Sequence, residues 1–462
     1  MTRHPIPTPR RILLQRSDRL GDVILTMPTI ATLHDRFPEA EIHMMTSAIG
    51  HTVMAGHPLI RHVWVVDRYQ PTSRLLSEWL PSVRAMQYDV SVTLCGEPGM
   101  AQLAKQAGIP IRIGDGSNLL HRRWYTHTIW QNTHDYTRHQ SELNQDFLRP
   151  LGIQPEFKSW GFYPVDHGYP VFEAWRDLDP HRPIAYLFLS TGGSNVPIPD
   201  RLIPDLMAWL QRKGYRVVVD GDRERSEWPT SSDRLNVTGQ THLSDVMAMI
   251  QQAALVVAGD TGPTHMASMM GRPSVVFTSR KINPPTRWGS LSPYQAYVRK
   301  DYPCPYDCRK GCHPDVCFQS IGVSDFEHAL ARIETQQTTH QPLSMTAIKQ
   351  LHVLQSLRCW VWTDGVIDPT VEEATDEVPM VVYWGGPRWP WGVWGQIKKV
   401  MMVYNINVVM GPVPWWIKGV LHVWVGTIRG EIPPLVIRTQ DVALSRSSLL
   451  NLVMRAYASK GS

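Results

Sequence analysis

The sequence predicts an α/β protein with two parallel-sheet units in series. Short apolar runs alternate with helix-period segments from residue 11 to 107, and the same rhythm returns from 184 to 277. Each series opens with an apolar run that leads straight into a loop of small and polar residues. Such alternation belongs to strands joined by crossover helices, which pair in parallel and are covered on both faces. The 462 residues exceed one ordinary domain, and 43% hydrophobic with 19% charged residues excludes wholesale disorder.

The elements follow in order. Residues 11–16 (RILLQR) read as a buried strand, and 22–37 as one helix with apolar side chains near helical spacing. Further strands are expected at 41–46, 62–66 and 89–94, with helices around 81–86 and 99–107. Residues 112–139, rich in Arg, His, Trp and Tyr, break the rhythm and read as a long surface excursion. A helix at 141–151 ends at Gly152, and 154–180 is the expected interdomain linker. The second series has strands at 184–189, 216–219, 255–258 and 274–277, and helices at 202–212, 243–251 and 264–270. It repeats the Rossmann-like pattern of the first. The expected domains are 1–160, 161–340 and an unassigned Trp-rich extension, 341–462, whose valine-rich runs and Gly-Pro turns allow a small α+β unit as one reading.

The net charge of +5 suits an anionic small substrate or a membrane surface and is too weak to argue for nucleic acid. The basic N-terminus lacks a signal-peptide core. No stretch reaches the roughly 18–20 apolar residues of a membrane span. The expectation is a cytoplasmic protein with peripheral contact to the inner face of the membrane.

Two segments carry chemistry. In Asp18-Arg19-Leu20-Gly21-Asp22, directly after the first strand, Gly21 allows close approach of a ligand and Asp22 sits at the carboxyl edge of the sheet. A carboxylate there serves as a general base, or Asp18 or Asp22 caps the helix. In Gly259-Asp260-Thr261-Gly262-Pro263-Thr264-His265, small residues and N–H groups at a helix start suit a diphosphate, and Asp260 suits sugar hydroxyls. The competing reading is an ordinary tight turn.

Together, Asp-Arg-Leu-Gly-Asp-Val at 18–23 and Gly-Asp-Thr-Gly-Pro-Thr-His-Met-Ala at 259–267 resemble the two signature regions of glycosyltransferase family nine, the ADP-heptose:lipopolysaccharide heptosyltransferases. The intervening order matches too, with Phe37-Pro38-Glu39-Ala40, Gly271-Arg272-Pro273 and Arg287-Trp288-Gly289 in sequence, and the likeness covers about 10–330. The resemblance implies the GT-B architecture, two Rossmann-like domains facing across a cleft. It implies inverting, metal-independent transfer from a nucleotide-diphosphate sugar, plausibly ADP-heptose, to a hydroxyl of a glycan or lipopolysaccharide-core acceptor. Asp22 would be the catalytic base, and Asp18, Arg19 and Gly21 would line the acceptor side. Asp260, Thr261, Gly262, Pro263 and His265, with the small-residue loop Thr191, Gly192, Gly193 and Ser194, would hold the donor. No cofactor is required for catalysis.

One departure stands out. Family members commonly carry a lysine in the loop at 190–197, and here Ser194-Asn195-Val196-Pro197 has none. Arg201, Arg280, Lys281 and Arg287 are the candidate substitutes. Two rival readings follow: a nucleotide-sugar epimerase or hydrolase on the same fold, and a non-catalytic nucleotide- or glycan-binding protein.

The basic stretch with Arg112, His121, Arg122, Arg123, His127, His134, Arg138 and His139 is read either as contact to an anionic, lipid-linked acceptor, with Arg122 and Arg123 foremost, or as a solvated loop. Cys304, Cys308, Cys312 and Cys317 are read as a structural zinc clip, as disulfides or as free thiols. The tail's Trp384, Trp389, Trp391, Trp394, Trp415, Trp416 and Trp424 are read as the core of a small unit or as a membrane-interface anchor.

Overall fold

The computed structural model describes residues 7–95, 97–130, 138–158, 167–193, 197–278, 285–299, 318, 321–340 and 342–356, and the strands 359–362, 381–384, 408–411 and 435–438. The first lobe runs β1 (Arg11–Gln15), α1 (Leu20–Ile24), α2 (Met27–Arg36), β2 (Glu41–Thr46), α3 (Ala48–Met54), β3 (His62–Val65), α4 (Thr72–Ala85), β4 (Val90–Thr93), α5 (Pro98–Gln106), β5 (Ile111–Asp115), β6 (His127–Ile129) and α6 (Gln140–Asp146). The second runs α7 (Pro170–Arg176), β7 (Ile184–Phe188), α8 (Ile203–Arg212), β8 (Arg216–Asp220), β9 (Arg234–Asn236), α9 (Leu243–Gln252), β10 (Leu255–Gly259), α10 (Gly262–Met269), β11 (Ser274–Phe277), α11 (Pro285–Trp288), β12 (Gln295–Val298) and α12 (Val323–Thr338).

The first sheet is ordered β3-β2-β1-β4-β5-β6 and the second β12-β11-β10-β7-β8-β9, all strands parallel. Counted from its own first strand, each sheet has the same order, 3-2-1-4-5-6, that of a doubly wound nucleotide-binding fold. The strands are continuous apolar runs because both faces are covered: β8 and β10 are buried at every position. The helices show one apolar face. In α8, Ile203, Leu206, Met207 and Leu210 are buried at helical spacing, and the chain leaves at Gly214 with φ +92°.

Three expectations for the two lobes need correction. The single helix at 22–37 is two helices, because Pro28, near the start of α2, has no N–H to continue the α1 ladder. The excursion at 112–139 contributes two strands, β5 and β6, to the sheet edge. The linker at 154–180 contains α7, whose Phe172 and Trp175 are buried in the core.

That core is continuous across the junction, from Ile12 and Leu14 of β1 through Ile30 of α2 to Tyr186 of β7, Val256 of β10 and Met266 of α10. Beyond α12, helix α13 (Met345–Ser356) packs against both lobes. Ile348 meets Leu25 and Leu291, Lys349 pairs with Glu142 at 2.8 Å, and the His352 ring stacks on that of His139. The tail then holds β13 (Cys359–Trp362), β14 (Val381–Trp384), β15 (Val408–Gly411) and β16 (Leu435–Arg438), in the order β14-β13-β15-β16. These strands pair in parallel, which belongs to α/β units and not to the α+β unit expected. Trp389, Trp391, Trp394, Trp415, Trp416 and Trp424 lie outside the described residues.

Candidate active site

In open α/β sheets, ligands bind beyond the carboxyl ends of the strands where the strand order reverses. In the first lobe that point lies between β1 and β4, and in the second between β7 and β10. Asp22 follows β1 and Asp260 follows β10, so both candidate carboxylates stand at a switch point.

The first is organised by a residue that the pattern of β1 concealed. Arg16, 4% exposed, donates through Nε to Asp18 Oδ1 (2.6 Å) and through Nη2 to Asp22 Oδ1 (2.8 Å). Its Nη1 reaches the Leu94 carbonyl at the end of β4 (2.8 Å) and Asn144 Oδ1 on α6 (3.2 Å). Asn144 in turn donates to the Leu25 carbonyl (2.9 Å). One guanidinium therefore ties β4, α6 and α1 around the loop. The N-cap of α1 is Arg19, without a side-chain cap bond, so capping does not account for either aspartate. Burial raises the Asp18 pKa, with the like charge of Asp22 adding and Arg16 opposing. The second Asp22 oxygen takes no hydrogen bond from any described residue.

The second carboxylate has the opposite setting. Asp260 is buried, its Oδ1 accepts no hydrogen bond from the described residues, and burial pushes its pKa up to about 7 against the pull of Arg299. His265, also buried, is held down to about 4, so its ring is neutral at ordinary pH. The two stand 3.8 Å apart, Nε2 to Oδ1. Thr261 is the N-cap of α10, and its hydroxyl, like that of Thr264, turns back to the Gly259 carbonyl. The positive end of α10 abuts the first lobe's loop, Gly262 against Leu20. At the end of β7, Thr191 is buried, and Gly192 (φ +52°) and Gly193 (φ +74°) occupy left-handed backbone that favours glycine. Asp220, ending β8, accepts from Tyr186 Oη, the Gly221 N–H and Thr241 Oγ1, and burial raises it to about 6.

The two loops meet. A Cβ on Gly21 would lie 2.8 Å from Cδ2 of His265, and one on Gly262 would lie 2.6 Å from Cδ2 of Leu20. Each signature loop thus carries a glycine where the other lobe's side chain presses on it.

The model of Glycosyltransferase family 9 (heptosyltransferase) matches residues 179–316, across β7 to β12. Over that segment the chain is similar to glycosyltransferase family 9. Lipopolysaccharide heptosyltransferase 3 of Escherichia coli K12 is 22% identical over 289 residues, 55% of this chain and 78% of the relative. The crystal structure of a family 9 glycosyl transferase from Veillonella parvula superposes with a TM-score of 0.58 at 19% identity, covering 71% of this chain and 97% of that one. The E. coli ADP-heptose lipopolysaccharide heptosyltransferase II gives 0.57 at 18%, covering 71% and 99%. Both share the two-lobed GT-B architecture.

Much of the basic stretch is engaged in local contacts. Arg112 donates to the carbonyls of Ile109 and Trp124, Arg138 pairs with Asp146 (2.6 Å), and buried His139 contacts the Gly289 carbonyl (3.1 Å). Arg122, half-buried, donates to the Gly116 carbonyl (2.7 Å) and overlies Trp130, while Arg123 is exposed. His134 lies outside the described residues. Arg201 is engaged with the Phe318 carbonyl and Arg287 is buried beside Trp288. Arg299, beyond β12, is the cation whose charge acts on Asp260, and nothing in its sequence surroundings marked it. Ser194, Arg280, Lys281, Cys304, Cys308, Cys312 and Cys317 lie outside the described residues. Among the described residues, no three His, Cys, Asp or Glu side chains gather as a metal site.

Proposed function

We propose that this enzyme moves a heptose from ADP-heptose to a hydroxyl of a lipopolysaccharide-core-like glycan, with inversion at the anomeric carbon and without a catalytic metal. The observation that carries this reading is the apposition of the two switch-point loops, Gly21 against His265 and Leu20 against Gly262, which gives Asp22 and Asp260 one cleft. The names of two relatives supply the sugar, the nucleotide and the acceptor class.

Asp22 takes the acceptor hydroxyl's proton on the carboxylate oxygen that Arg16 leaves open. The acceptor oxygen then attacks the anomeric carbon from the face opposite the diphosphate. The bond to the diphosphate breaks, and its electron pair leaves on the phosphate oxygen. Charge growing there meets the N-terminal end of α10, with Thr261 and Gly262, and the loop at Thr191, Gly192 and Gly193. Asp260, with a pKa about 7, exchanges hydrogen bonds with sugar hydroxyls in either protonation state. Arg299 serves as the cation that the lysine-free loop does not supply. Asp18, Arg19, Arg122 and Arg123 edge the acceptor side, and the enzyme works at the cytoplasmic face of the membrane.

A second reading, a donor-binding protein without turnover, is favoured by that missing lysine. Incubation with ADP-heptose and an inner-core acceptor separates the alternatives. The transferase consumes donor only when acceptor is present. Consumption without acceptor means a hydrolase or epimerase. A donor-induced rise in Tm without turnover means a binding protein.

A further inference from the structure

Arg16 and Arg216 are both buried guanidinium groups, and they spend their hydrogen bonds differently. Arg216, where β8 begins, donates to the carbonyls of Ser232, Arg176, Asp179 and Trp175 and overlies the Trp175 ring at 3.7 Å. Those acceptors are all neutral, and they suffice to staple α7 to the second sheet. Arg16 follows β1, on the edge that carries Asp22. Four of its five N–H groups are engaged: Nε with Asp18, one on Nη2 with Asp22, and both on Nη1 with the Leu94 carbonyl and Asn144. Its backbone is pinned as well, because its N–H donates to the Met45 carbonyl (2.9 Å) and the Leu94 N–H donates to Gln15 beside it (3.0 Å).

Setting two carboxylates on one buried guanidinium leaves net negative charge out of water, which costs more than bonding it to neutral carbonyls. Arg216 shows that this chain ties buried segments together without that cost. The Asp18–Arg16–Asp22 group therefore calls for a reason other than packing. The cation is its most buried member, with a side chain 5% exposed against 20% for Asp18 and 16% for Asp22. Arg68 pairs instead with Glu97 (3.3 Å), and Arg19 is exposed. A carboxylate turns easily about its last torsion. A guanidinium with four anchored N–H groups does not, so its bond to Oδ1 of Asp22 decides which oxygen stays open.

We propose that Arg16 is a positioning residue for the transfer step, seated by Leu94 and Asn144, which acts through Asp22 by fixing the oxygen that meets the acceptor hydroxyl and by countering the charge of Asp18 beside it. Asp18 then belongs to the clamp, anchoring Nε so that Nη2 has one direction. The inference rests on the reading of Asp22 as the base and adds to it the group that aims that base.

The test is a double-mutant cycle on the full chain, with kcat measured on ADP-heptose and an inner-core acceptor and donor Kd measured by calorimetry. Arg16→Lys keeps the charge but cannot serve four acceptors from one planar fork. It is expected to lower kcat by about 10–100-fold, as a misplaced catalytic group does, with donor Kd within about twofold of the wild type. In the Asp22→Asn background the same change is expected to cost less than about twofold, because the group it acts through is gone. Asn144→Ala removes one seat of the guanidinium and leaves its charge. It should lose less turnover with the same non-additivity, and it decides the matter if Arg16→Lys does not fold. Three results would overturn the proposal: wild-type kcat in Arg16→Lys, equal losses with and without the Asp22 carboxylate, or donor affinity falling in step with kcat. The last two would make Arg16 a packing residue like Arg216. Asp22→Asn turning over at the wild-type rate would remove the base itself, a different failure from additive losses beside an inactive Asp22→Asn.

Discussion

The two lobes repeat one strand order and put an aspartate at the same topological point, yet the two carboxylates live in different surroundings. Asp22 shares a buried guanidinium with Asp18, one oxygen bonded and the other without a hydrogen bond from the described residues. Asp260 is buried beside a neutral imidazole, its Oδ1 unsatisfied by described residues, and its pKa is about 7. Fold position brings a carboxylate to the ligand. On the proposed mechanism, the neighbours decide whether it takes a proton from an acceptor or trades hydrogen bonds with a sugar.

Asp22→Asn attacks the first half of that contrast and should have the largest effect. Turnover with donor and acceptor should drop by about 10²–10⁴, the usual contribution of a positioned base, with donor affinity within a factor of about two. Steady-state kinetics alongside calorimetric donor titration checks both.

Asp260→Asn should act in two directions. Donor affinity should fall, while the ligand-free protein should become more stable at pH 8, by up to roughly 4 kcal/mol. The sign follows from burial. The folded state holds its proton up to about pH 7, whereas the unfolded chain loses it near its ordinary value of 3.8, so wild-type stability drains away as pH rises between them. Denaturant melts should show the full gain at pH 8 and less than half of it at pH 5.

The histidines run the other way. Burial holds His265 and His352 at about 4 against an ordinary 6.5. Between these values the unfolded chain binds more protons, so stability falls as pH drops from 6.5 to 4, by on the order of 3 kcal/mol for each. Asp260 gains stability over the same window, so the check is a difference: His352→Gln should lose less Tm than the wild type from pH 6.5 to 4, and equal losses would contradict that burial.

The smallest effects separate the two glycines. Gly21→Ala drives a methyl into the buried His265 ring and should cost about 1–3 kcal/mol, with a loss of turnover. Gly262→Ala meets only the end of the Leu20 side chain, which can turn aside, and should cost less.

Asp22 and Asp260 were legible because each follows an apolar run and enters a loop of small residues, a local signal. Arg16 was not. It ends a run read as a buried strand, and its anchors at Leu94 and Asn144 are 78 and 128 residues away. Arg299 is hidden for the same reason, because only folding brings it toward Asp260. Strands β5 and β6 escaped because Arg112, Gly114 and Asp115 leave β5 little apolar pattern, β6 is only three residues long, and they pair at the sheet edge. The tail's valine runs signalled strands, but parallel pairing is a non-local property that no run of side chains reveals.

The central claim is one cleft in which Asp22 deprotonates an acceptor while the Asp260 loop holds the donor. Its most direct test is Asp22→Asn mixed with ADP-heptose and a core acceptor, read for both donor occupancy and product. Donor bound as tightly as by the wild type with product formation near background is the predicted result. Product formed at the wild-type rate would contradict it.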